Sequence, residues 1–140
     1  MSDDRLSSSY GKLSMQGTFF DRFYEVFLNS HPAIKPMFAQ TDFATQKQLL
    51  KKTITWLVMN ARGSAMAAEK LREVAVIHDK DHVNVRPELY RYWTESLIQV
   101  IKEHDPKFDS ELETLWRDSI RKGIDVFVAH YDGKDQAAAS

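Results

Sequence analysis

Apolar positions recur every three to four residues along almost the whole chain. Phe20, Phe23, Tyr24, Phe27 and Leu28 fall at i, i+3, i+4, i+7 and i+8, the stripe of an amphipathic helix. Asn29-Ser30 stops it, and Pro32 suits the first turn of a short helix that reaches Phe38. Thr41-Asp42 offers capping oxygens to a third helix, whose stripe is Leu50, Ile54, Leu57, Val58 and Ala61 and which Gly63 ends. After a polar stretch, Ala67, Leu71, Val74, Ala75 and His78 mark a fourth. Asp79 to Arg86 has no apolar period and reads as a loop. Pro87 opens a fifth helix with Leu89, Trp93, Leu97, Val100 and Ile101 inward, and Pro106 lies beyond its end. Asp109 caps the last long helix. Its buried stripe is Leu112, Leu115, Trp116, Ile120, Ile124, Phe127, Val128 and Tyr131, and Gly133 ends it. Residues 134–140 read as a frayed, disordered tail.

No segment alternates with period two, so the chain is all-α, with six to seven helices. A four-helix bundle wants helices of nearly equal length. Two long C-terminal helices mixed with shorter ones fit a globin-like pack better. The 140 residues form one domain spanning 1–140, long enough to bury ~68–70% of the unfolded surface. A hydrophobic fraction of 43% and a charged fraction of 28% are those of a soluble globule.

Charge and cysteine usage narrow the chemistry. A net charge of -1 supports neither a nucleic-acid partner nor a polybasic membrane contact. The absence of cysteine excludes disulfides, thiolate catalysis and cysteine-held metal sites, and is compatible with a reducing cytoplasm. Residues 1–10 have no apolar signal core, and no apolar run approaches the ~18 residues of a membrane span. These points together predict a cytoplasmic protein. No nucleophile elbow, phosphate loop, H-E-x-x-H or calcium-loop pattern occurs. His31, His104 and His130 are scattered, and Met15, Met37, Met59 and Met66 are expected to fill gaps in the core.

His78 is the residue with chemistry to offer. It ends an apolar helical stripe, and Gln46 and Leu50 lie on a second apolar face upstream. An imidazole opposite an apolar wall can serve a haem, which needs one nitrogen ligand for iron and hydrocarbon around the macrocycle. A lone histidine on an apolar face is also an ordinary core residue. His82, one helical turn further on, competes for the ligand role from within the loop, where, beside Lys80, it reads equally as a solvated histidine. Tyr24 reads either as a core aromatic or as a hydrogen-bond donor to a ligand. Trp93 reads either as core or as a second such donor. Trp56 and Trp116 read as packing.

Four segments resemble the single-domain bacterial haemoglobins of the Vitreoscilla type and the globin domain of flavohaemoglobins. Phe23-Tyr24-Glu25-Val26-Phe27 followed by His31-Pro32-Ala33-Ile34-Lys35-Pro36-Met37-Phe38 resembles that family's FY…F…HPE-x-x-PLF stretch, with Ala33 in place of the usual acid. Tyr24 and Phe38 are fourteen positions apart, and Gln46 and His78 thirty-two, as in the family. Val85-Arg86-Pro87-Glu88-Leu89-Tyr90 resembles its V-x-P-E-x-Y segment, and Asp125-Val126-Phe127 matches its last helix. The likeness runs from about Phe19 to Tyr131.

The resemblance implies a globin fold, a three-over-three helical sandwich around haem b. It implies His78 as the proximal iron ligand and Phe38 wedged against the haem. Tyr24 and Gln46 would face bound ligand, with Leu50 above the iron. His82, Val85, Tyr90 and Trp93 would line the rest of the site, Tyr90 near the proximal imidazole. Two departures stand out. The interval from His78 to Tyr90 is longer than in the Vitreoscilla type. Tyr131 stands where flavohaemoglobins place a glutamate that polarises the imidazole, which weakens the case for peroxidase-like chemistry. The implied function is reversible binding of O2, with NO and CO following. NO-detoxifying activity would depend on a separate reductase, because no flavin- or nicotinamide-binding domain follows, so enzyme status stays open. The rival reading is a haem-based gas or redox sensor signalling to a partner protein. Either form is compatible with a monomer or a homodimer.

Overall fold

The computed structural model describes residues 2–79, 81 and 83–131, with side chains from residue 5 onward. Among these residues there are seven α-helices and no strand: α1 (Ser2–Ser14), α2 (Gly17–Leu28), α3 (Ile34–Met37), α4 (Phe43–Ala61), α5 (Ala65–His78), α6 (Tyr90–His104) and α7 (Ser110–His130). A single 3-10 turn, Pro87–Leu89, leads into α6. The expected tail at 134–140 and the stop at Gly133 lie outside the described residues.

Helix starts follow their caps. Asp42 accepts from the Ala44 N–H, Ser64 from Ala67 and Asp109 from Leu112, each satisfying a backbone donor that the first turn leaves over. At the other end of α4, Gly63 takes φ 92, a left-handed conformation that glycine adopts at no steric cost.

The stripes read from the sequence are the buried faces. Phe23 and Ile54 are fully enclosed, as are Leu57, Leu71, Leu97, Ile101 and Trp116. Two expectations fail at the edges. Val128 is 43% exposed although it was placed in the buried stripe of α7, because it lies a quarter turn off the line through Ile120, Gly123 and Phe127. Met15 and Met66 are 86% and 54% exposed, so they fill no core gap.

The helices pack in two layers. In one, α4 lies between α1 and α5; in the other, α6 lies between α2 and α7. The layers are joined chiefly where α7 crosses α5 and α4. At that crossing Gly123 allows close approach: a Cβ there would fall 2.1 Å from Leu57 Cδ2. The N-terminal helix α1 carries only a thin apolar stripe, Leu6, Tyr10 and Leu13, with both leucines buried. Polar bonds add to its hold. Ser9 Oγ donates to Asp105 Oδ2 at 2.6 Å and accepts from the Trp116 indole N–H at 3.1 Å, and Lys12 pairs with Asp105 at 2.9 Å.

Candidate functional site

Between α4 and α5, floored by α7 and closed by α2, α3 and α6, lies a cleft that is partly open to solvent. Tyr24, Phe38, Gln46, Leu50, His78, Val85, Tyr90 and Trp93, all predicted from the sequence, line it together. His82 and Lys80 lie outside the described residues.

Most of the wall is hydrocarbon, and much of it was not predicted. Leu49 and Thr53 share the α4 face with Gln46 and Leu50, and Val74 lies one turn before His78. Phe27, Ile34, Met37 and Leu89 add to one side, and Ile124 and Phe127 come from α7. The signal for them was helical spacing: each except Met37, which directly precedes Phe38, stands three or four positions from a predicted site residue or within a stripe already recognised as inward.

His78 is oriented by its own helix. Its Nδ1 lies 2.8 Å from the Val74 carbonyl oxygen. A carbonyl can only accept, so Nδ1 carries the proton of this bond. Burial pushes the imidazole below its ordinary pKa, against the smaller opposing effect of that hydrogen bond, so the ring is neutral at pH 7. Its Nε2 then presents a lone pair and has no hydrogen-bond partner among the described residues. The ring also stacks on Phe127, with centroids 5.7 Å apart and planes within 6°.

The opposite wall is aromatic and holds the other donors. Tyr24 is 5% exposed and meets Phe23, Phe38 and Phe43 edge-on at 5.1, 6.1 and 5.4 Å. Its hydroxyl donates to the Gln46 backbone carbonyl at 3.4 Å, a long bond that leaves the group free to turn. Burial pushes the phenol up to about 12, so it remains a donor throughout the neutral range. The Gln46 amide and the Trp93 indole N–H make no side-chain hydrogen bond among the described residues, and Trp93 meets Phe23 at 5.7 Å.

Tyr90 lines the cavity near His78, and neither it nor Tyr131 hydrogen-bonds the imidazole among the described residues. Tyr90 packs on Phe127 at 5.7 Å, the ring that also stacks on His78, but donates nothing to the imidazole. Burial, and after it the nearby Tyr131, push its phenol well above the usual value. Tyr131 donates instead to Asn84 Oδ1. The longer loop explains this. It folds back on the end of α5, with the N–H groups of Val83, Asn84 and Val85 donating to the carbonyls of Ile77, Asp79 and His78. Asn84 takes φ 58 to make that turn, which brings its amide under the Tyr131 hydroxyl.

Among the described residues there is no group of three or more metal-binding side chains, so His78 stands as a single nitrogen donor in a cavity walled largely by hydrocarbon. No helix is long and apolar enough to cross a membrane.

Comparison with known proteins agrees with this architecture. The Globin family model matches residues 21–127. A solved structure from Pseudomonas aeruginosa PAO1, described as structurally highly homologous to a human haemoglobin, superposes with a TM-score of 0.88 at 40% identity, covering 94% of this chain and 98% of that one. No curated protein sequence matches the chain. The matched span holds both walls of the cavity, and the chain belongs to the globin family.

Proposed function

We propose that the cavity holds haem b with His78 as the iron ligand, and that the protein reversibly binds O2, with NO and CO as further ligands. Membership of the globin family supports a haem-binding protein. The observation that carries the reading is the geometry of one side chain: His78 is held with Nδ1 2.8 Å from the Val74 carbonyl oxygen in a setting whose burial favours the neutral ring, and its Nε2 has no hydrogen-bond partner among the described residues. That is how a ligating histidine is prepared, with the second nitrogen bonded to a backbone carbonyl that fixes tautomer and ring.

The other residues fit the same group. Phe38, Leu50, Val74, Val85 and Phe127 supply the apolar surroundings that a macrocycle needs. Haem, when bound, supplies a ferrous iron that takes a diatomic ligand. The phenol of Tyr24 and the amide of Gln46 then act as donors to the polar end of that ligand, while Leu50 and the aromatic cluster around Phe38 exclude water. The bond from Nδ1 goes to a neutral carbonyl and not to a carboxylate, so the imidazole gains little extra basicity. This favours binding and storage of the ligand over peroxidase-like chemistry. NO-detoxifying activity, with nitrate as product, is the secondary role and depends on a separate reductase.

Optical spectra of the ferric, ferrous and ferrous–CO forms test the proposal, together with O2 release on deoxygenation. A haem spectrum that returns unchanged through cycles of oxygen binding and removal is expected, and His82→Ala is expected to retain it. Loss of the spectrum in His82→Ala but not in His78→Ala would move the ligand to residue 82.

A further inference from the structure

We propose that Phe127 is a positioning residue: its ring fixes the plane of the His78 imidazole, and the last turn of α7 is fastened to the corner after α5 so that it stays in place. The proposal rests on the reading of His78 as the iron ligand and adds the device that aims it.

The hydrogen bond from Nδ1 to the Val74 carbonyl pins one corner of the imidazole. It leaves the ring free to twist about the axis of that bond. The Nε2 lone pair lies in the ring plane, so such a twist swings the direction in which the nitrogen can donate. Phe127 removes this freedom. Its ring faces the imidazole with the planes 6° from parallel and the centroids 5.7 Å apart. Twisting the imidazole would break the stack and open a gap in a tightly packed wall. Phe127 cannot follow the motion, because Tyr90 packs on it at 5.7 Å and an interplanar angle of 40°.

The backbone carrying Phe127 is held as well. His130 and Tyr131 stand three and four positions on, on the same face of the turn. His130 Nε2 lies 3.4 Å from Oδ2 of Asp79, the residue directly after His78. Both side chains are 9% exposed. Tyr131 donates to Asn84, whose own N–H bonds the Asp79 carbonyl at 2.8 Å. Three contacts from a single turn of α7 therefore meet His78 itself, its neighbour, and the loop that closes over the end of its helix. One of them lies parallel to the imidazole, offset along it; the other two keep that one in register.

Three variants of the full chain test this: Phe127→Leu, similar in bulk but without a ring; Phe127→Tyr, which keeps the ring; and Tyr131→Phe, which removes only the bond to Asn84. The first readout needs no bound group. Nitrogen-edited NMR of the chain as purified locates the His78 ring protons, whose positions the ring current of a parallel neighbour shifts. That shift is expected to vanish in Phe127→Leu and to persist in Phe127→Tyr. The second readout is transfer of haem to an excess of a scavenging apoglobin. From the worth of an aromatic stack, transfer is expected to be roughly two- to tenfold faster in Phe127→Leu, unchanged in Phe127→Tyr, and accelerated to a lesser degree in Tyr131→Phe. Wild-type ring shifts and transfer in Phe127→Leu would overturn the proposal, and so would equal acceleration in the Leu and Tyr variants, which would mean bulk and not ring plane. If His78→Ala holds haem as tightly as the wild type, the ligand reading fails, and the NMR arm still decides whether Phe127 sets the imidazole plane.

Discussion

Replacing Tyr24 by Phe removes one hydroxyl from the wall opposite His78 and leaves the ring. The ring contacts with Phe23, Phe38 and Phe43 survive, and they account for most of what Tyr24 contributes to packing. The hydroxyl's bond in this structure is the 3.4 Å contact with a carbonyl inside α4, which has a helical donor of its own. Its loss should change folding stability by no more than ~0.5 kcal/mol, the lower end for a single hydrogen bond. A bound diatomic ligand is a different acceptor. Oxygen on ferrous haem carries partial negative charge, and a donor to a partly charged acceptor in a dry cavity contributes about 1.4 kcal/mol, between the neutral and fully charged cases. That is about tenfold in rate. Flash photolysis or stopped-flow measurement of oxygen dissociation should therefore show Tyr24→Phe releasing oxygen about ten times faster at unchanged melting temperature. CO, which is less polarised, should change less. Because burial pushes the Tyr24 phenol up to about 12, the wild-type rate should be flat with pH up to about 10. A dissociation rate within about twofold of wild type would remove Tyr24 from the ligand's surroundings, and with it the donor role assigned to this wall.

The remaining predictions concern the fold that holds the site. Ser9→Ala leaves the fully buried Trp116 indole N–H without its acceptor and takes a donor from Asp105, so chemical denaturation should show a loss of roughly 2–3 kcal/mol; a loss below about 0.5 kcal/mol would mean that α1 is held by its leucines alone. Asp105 also predicts an acid limb. Burial pushes its carboxyl up, but the bonds from Ser9, the Lys107 N–H and Lys12 outweigh this and bring it below the ordinary value. A carboxylate whose pKa is lower in the folded state stabilises fully above its unfolded pKa of about 3.9, and that contribution is lost as pH falls through the folded value. Asp105→Asn should therefore flatten the fall in stability on acidification below about pH 4, and an unchanged acid limb would assign it to other groups.

The two walls of the cavity were legible for different reasons. His78, Leu50 and Val74 lie on stripes that the 3.6-residue period exposes directly. Tyr24 lies on such a stripe too and Gln46 one turn before Leu50, but only the resemblance to bacterial globins gave them a place opposite His78. The deeper lining from Ile124 and Phe127 was latent in a stripe already read as core, because periodicity shows which face is inward and not whether it meets a neighbour or a cavity. Helix α1 escaped because its apolar stripe is thin and its hold on the body comes partly from bonds between residues about a hundred positions apart, Ser9 with Asp105 and Trp116, which local patterning does not encode. Tyr131 was marked by likeness alone, as the residue that stands in place of the family's glutamate. The lengthened loop and the left-handed turn at Asn84 redirect its hydroxyl, and in doing so bring the end of α7 to bear on the corner after His78.

The decisive measurement is haem titration into His78→Gly with and without free imidazole, followed by absorbance of the ferrous–CO form. If residue 78 provides the bond to iron, the variant loses tight uptake and the histidine-ligated ferrous–CO spectrum, and imidazole restores both by filling the space the side chain left. Wild-type uptake and spectrum in His78→Gly without imidazole would contradict the account at its centre.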